Sequence, residues 1–195
     1  MGLCRDAYRR LEEVAAAVNL ADPHVLRARL SEFDGKDTSP LAILVEQLTP
    51  GEEFVDLLIE LVEEGERAIQ VAGTWVLRRL FDSEIALTRE QRQGLLDLLT
   101  GVSDWECRLH LLQLFPRLEV PKARATALFD LFMNDSAAPN KFVRAWGYNA
   151  LVCLADQHRE LREQVTEMIE SAASSESASI KARIRNVRKE MSWLR

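Results

Sequence analysis

Three apolar columns recur along this chain at a nearly constant step. Ile69, Cys107, Val143 and Ile180 form one column. Val76, Leu114, Ala150 and Val187 form a second, and Leu80, Leu118, Leu154 and Met191 a third. In every column the step is 38, then 36, then 37 residues. Self-similarity at such a period is the mark of a repeat array in which each unit buries its apolar face only against its neighbours. The columns stand 0, 7 and 11 residues from Ile69. At about 100° per residue these offsets, with offset 4, fall on one narrow helical face. Offset 4 holds Gly73, Leu111, Gly147 and Ile184. Glycine inside a helix costs up to about 1 kcal/mol against alanine. Two glycines in one repeat column therefore predict helices that approach closely there.

The punctuation between columns is that of paired helices. Glycine (8) and proline (6) are scarce, and strict apolar/polar alternation is missing, so no strand is expected. First members of the pairs are predicted from Thr49-Pro50 to Gly65, from Thr88 to Thr100, from Pro121 to Asn134 and from Gln157 to Ala173. Thr88 with Gln91 reads as a capping box. Second members are predicted from Arg67 to Phe81, Asp104 to Pro116, Lys141 to Ala155 and Ser179 to Trp193. Upstream, one helix is expected over 3–18. Another is capped by Asp22 with Pro23 at its first position, and a short one starts at Ser39. The stretch AASSESAS is the most linker-like, yet too short to divide domains. The expectation is one domain over 1–195, with 1–48 as a degenerate N-terminal capping repeat and 49–195 as four clearer repeats.

The segment FVRAWGYNALVCLA, 142–155, resembles the second helix of a HEAT repeat. Val143-Arg144 stands where that family carries its Val-Arg pair, and Ala150 and Leu154 follow at its spacing. The resemblance covers about residues 50–195. It implies an all-α, right-handed α-α superhelix, a HEAT-like solenoid, of about five helical pairs. It also implies that the column Gln70, Arg108, Arg144, Lys181 braces neighbouring repeats through acidic partners. The matching loops carry no consistent Asp. A repeat copy also accounts for Trp146 and Tyr148 as off-core positions rather than an active-site signature.

Offsets 3, 6 and 10 lie close together around the second helices. They collect Trp75, Arg79, His110, Gln113, Arg117, Trp146, Asn149, Arg183 and Asn186, together with Ala72, Cys153 and Glu190. In HEAT-like arrays the second helices line the concave side, where solenoids usually bind. Aromatic, amide and guanidinium groups are interface chemistry. Periodicity leaves two readings open: a wet binding ridge, or a face turned to the next repeat.

The remaining features narrow the function class. Net charge is −6 with a pI near 5.2, which argues against bulk binding to nucleic acid. Charge is uneven, however. Residues 51–64 carry six acids and no base, and residues 180–195 carry six bases and one acid. The basic end leaves nucleic acid open as a second partner class, beside another protein as the first. No apolar run reaches the roughly 18 residues of a membrane span, so no membrane association is expected. The N-terminus has no apolar signal segment, and Asp6 departs from the myristoylation pattern that Gly2 and Cys4 invite. Three widely spaced cysteines, Cys4, Cys107 and Cys153, indicate a reducing cytoplasm.

His24, His110 and His158 are far apart and in no metal-ligand spacing. No phosphate loop or nucleophile elbow is present, so no catalytic residue, metal or cofactor is expected. The sequence reading is thus a non-enzymatic scaffold for protein–protein interaction through the second-helix ridge. The alternative is a nucleic-acid binder similar to the HEAT-like DNA alkylation repair glycosylases, which use tryptophans in a basic groove. That alternative rests on Trp75, Trp105, Trp146, Trp193 and the concave arginines. The chain lacks the expected Trp-Asp pair and is acidic overall.

Overall fold

The computed structural model describes residues 19–48, 52–82 and 85–194. The helix expected over 3–18, the Gly2/Cys4 segment and the Thr49-Pro50 opening of the next predicted helix lie outside them. The described residues form ten α-helices and no strand. They are α1 (Pro23–Ser31), α2 (Ser39–Gln47), α3 (Glu52–Glu64), α4 (Arg67–Leu80), α5 (Arg89–Gly101), α6 (Trp105–Leu114), α7 (Lys122–Ser136), α8 (Lys141–Gln157), α9 (Arg162–Ser175) and α10 (Ala178–Glu190).

Local chemistry sets the helix starts. The Asp22 carboxylate accepts from the His24 amide, with Pro23 at the first position. At Thr88 both bonds of the capping box form with Gln91. Asp104 and Asn140 cap α6 and α8 through their side-chain oxygens. Each such cap contributes about 1 kcal/mol by satisfying orphan amides. Three ends differ from expectation. α10 closes at Glu190, short of Trp193, and a 3₁₀ turn over Ser192–Leu194 follows it. Pro116 interrupts α6, which closes as a 3₁₀ turn over Phe115–Arg117. Gln157 ends α8 rather than opening α9: the backbone leaves the helical region at His158 (φ −123°, ψ 91°), and a 3₁₀ turn over Arg159–Leu161 precedes α9.

Helices pack in neighbouring pairs, and the second helices α4, α6, α8 and α10 pack on one another in sequence order. The result is an all-α, solenoid-like stack. Fifteen of the sixteen positions in the four core columns are buried, Gly73 and Gly147 among them, and Met191 is half-buried. The repeat register is written in polar bonds between residues one period apart. Arg67 pairs with Asp104 at 2.7 Å, and Trp193 donates to Asp156 at 2.9 Å. The Gln157 amide accepts from the Val120 amide at 2.8 Å and donates to the Leu118 carbonyl at 3.0 Å. A register slip of one residue would lose all of them together.

The column Gln70, Arg108, Arg144, Lys181 has a local duty. Each side chain donates to a carbonyl at the C-terminal end of the first helix of its own pair. The acceptors are Val62, Leu99 with Val102, Ala138 and Ser174. These are carbonyls that a helix end leaves without partners. The two arginines also reach acids of the following pair. Arg108 lies 3.7 Å from Asp135, and Arg144 lies 3.4 Å from Glu176. Asp135 precedes its core column by eight residues and Glu176 by four. They thus sit one helical turn apart and form no column of their own.

Candidate functional site

The seam between α6, α8 and α10 opens into a cavity of about 350 Å³. From α6 and its terminal turn come Gln113 and Pro116. Trp146, Asn149, Cys153, Asp156 and Gln157 come from α8, and Arg183, Glu190 and Met191 from α10 and its end. Four residues expected on the ridge (Gln113, Trp146, Asn149 and Arg183) therefore meet around one space.

The dominant contact is between Trp146 and Arg183. The guanidinium carbon lies 3.9 Å from the indole centroid, within cation–π range. Both residues hold offset 3 of consecutive repeats, so stacking of the inner helices brings them face to face. Burial lowers the Arg183 pKa from its usual value, and Glu190 opposes the shift. An arginine guanidinium is not deprotonated in proteins, so it remains a cation. It is held against the ring and partly dehydrated.

At the other end, Asp156 accepts from Trp193 at 2.9 Å and from Arg162 at 3.2 Å. Arg162 in turn lies 4.9 Å from the Trp193 ring. Asn149 is buried, and its side-chain bond within the described residues is a 3.5 Å contact to Cys153 Sγ, a weak acceptor. Burial, reinforced by Glu190 and Asp156, pushes the Cys153 thiol up to about 12. It is therefore protonated at neutral pH and no nucleophile.

The other ridge residues lie elsewhere. Arg79 covers the half-buried Trp75 at 5.8 Å and pairs with Asp82 at 2.8 Å, a separate cluster at the C-terminal end of α4. His110 is drawn into the α4–α6 seam, where its Nδ1 lies 3.1 Å from Thr74 Oγ1. The Thr74 hydroxyl also lies within donating distance of the Gln70 carbonyl at 2.8 Å and the Val71 carbonyl at 3.1 Å. Burial, with help from Arg78, lowers the His110 pKa to about 4, so the ring is neutral. Arg117 and Asn186 are exposed and do not line the cavity. The strip is thus seam at offset 3 and open surface at its rim.

Asp156, Gln157 and Met191 were missed by the strip. Asp156 stands at offset 13, three residues past Cys153, the last position of the strip on that helix. Extending the offsets by those three residues finds it. Among the described residues no group of three His, Cys, Asp or Glu side chains could hold a metal ion, and no helix is long and apolar enough to cross a membrane. Neither a family model nor a curated protein matches the chain.

Proposed function

We propose that this chain is a non-enzymatic, HEAT-like scaffold that captures a segment of another protein at the α6–α8–α10 seam. The observation that carries this reading is the Trp146–Arg183 stack at a cavity of about 350 Å³. Trp and Arg are the commonest anchors of protein interfaces, most of all when held rigid and partly desolvated before the partner arrives. Asp156 and Glu190 line the same space. A partner side chain that is cationic or carries an amide would meet these carboxylates while its stem packs on Met191 and Trp146. The free thiols Cys107 and Cys153 fit action in the cytoplasm.

The nucleic-acid alternative draws less support. Arg183 is committed to Trp146, and Lys181 to the Ser174 carbonyl at 2.7 Å. Affinity capture from the source cell, followed by mass spectrometry, tests the proposal. A partner retained by the native chain and lost by Trp146→Ala supports it. Equal capture by both rejects it, and so does tight, steeply salt-dependent binding of duplex DNA that Arg183→Glu abolishes.

A further inference from the structure

The first helices of the second and third repeats part from one another. Where α5 and α7 make little direct contact, a cavity of about 510 Å³ opens between them, on residues outside the inner-helix seam. Its volume lies in the range of small-molecule sites. Its walls are unusual for a chain of net charge −6. Arg89 and Arg92 come from α5 and Arg124 from α7, against one acid, Glu119. Arg124 is held in place by Asp97 at 2.7 Å and by the Leu96 carbonyl at 3.4 Å. Arg89 and Arg92 have no ion pair or hydrogen-bonding partner among the described residues. Two uncompensated guanidinium groups thus face a shared space that a third, anchored one borders.

The backbone adds to this field. α7 runs for 15 residues, and Pro121 at its N-cap supplies no side-chain cap. Its first turn holds no acid. The Lys122 and Ala123 amides have no acceptor among the described residues, in contrast to the capped starts of α5, α6 and α8. Free amides at a helix start favour an anion. The floor between the charged groups is apolar, made by Leu96, Val120 and Ala123. We infer that the α5–α7 cavity is a binding site for a small organic phosphate, its phosphoryl group on Arg89, Arg92 and the Ala123 amide and its carbon body on the apolar floor. Arginine forks match phosphate oxygens two at a time, and the floor distinguishes an organic ester from the free ion.

Calorimetric titration of the full chain with phenyl phosphate, inorganic phosphate and phenol tests the site. Phenyl phosphate is expected to bind with a Kd below about 1 mM. Inorganic phosphate should bind more weakly, phenol should not bind, and the affinity should fall as salt rises. The Arg89→Ala/Arg92→Ala double variant should lose about tenfold or more. Both side chains lack partners, so its melting temperature without ligand should stay that of the native chain. Ala123→Glu is the sharper variant. An acid in the first helical turn holds or raises thermal stability, yet it fills the cavity with the wrong charge and should abolish binding. Absence of saturable phenyl phosphate binding up to about 10 mM overturns the site. So does binding that survives both variants.

Discussion

The Cβ that Gly147 lacks would fall 2.6 Å from the amide nitrogen of Ser136, at the crossing of α8 with α7. The neighbouring Asp135 carbonyl carbon would be 2.7 Å away. No real side chain tolerates such a contact with backbone, so one of the helices must move. Gly147→Ala is expected to destabilise by about 1–3 kcal/mol, the usual cost of overpacking, despite a helix-propensity gain of up to about 1 kcal/mol. At Gly73 the same methyl meets Val62 Cγ2 at 2.6 Å, a side chain rather than backbone. Gly73→Ala should therefore cost less. Urea unfolding of both variants gives the comparison, and equal stabilities would contradict a backbone-limited approach at Gly147.

The burial of His110 makes stability depend on pH. Its pKa is lowered from 6.5 to about 4 in the fold. Between those values the unfolded chain binds a proton that the folded chain refuses. The contribution is fully present above about pH 6.5 and is lost as the pH falls towards about 4, by up to roughly 3 kcal/mol. His110→Gln should flatten the acid side of a stability–pH profile. If native and variant profiles run parallel between pH 4 and 6.5, the imidazole is not the group responsible.

Arg144, Tyr148 and Glu176 tie the third pair to the fourth. Arg144 Nε lies 3.4 Å from Glu176, and the Tyr148 hydroxyl donates to the same oxygen at 3.3 Å. The Tyr148 pKa is raised by burial first and by Glu176 second. A double-mutant cycle with Arg144→Met and Glu176→Gln is expected to show a coupling of about 0.5–1.5 kcal/mol, as for contacting, partly buried groups. Additive single effects would place the two groups in separate environments.

The described thiols should be inert in the native state. Burial pushes Cys107 up to about 11 and Cys153 up to about 12. At pH 8 the thiolate fraction is then about a thousandth or less. In a Cys4→Ser background, iodoacetamide should leave the folded chain unlabelled at that pH and modify two thiols once urea unfolds it. Rapid native labelling of Cys153 would show that the α6–α8–α10 cavity admits reagent to a reactive thiolate.

The helices and their order in the stack are legible in the sequence because each depends on short-range physics. The caps at Asp22 and Thr88 bond to amides two or three residues away. The core columns need only the helical period to find one face, and their repetition at 36–38 residues makes neighbouring pairs bury that face together. The close crossings at Gly73 and Gly147 follow from the same columns, since nothing else offsets the cost of a mid-helix glycine.

What only the tertiary structure decided is which polar residues meet. Asp135 and Glu176, the acids that answer Arg108 and Arg144, sit a turn apart relative to their core columns, so no periodic reading pairs them. The aromatic strip likewise divides in space. Offset 3 turns into the seam, where Trp146 meets Arg183 and His110 meets Thr74. Arg117 and Asn186 stay at the surface. A period states which face of a helix a residue occupies. The distance between faces of successive helices depends on packing of side-chain volumes, and that distance made one part of the strip a cavity and left another part as open surface.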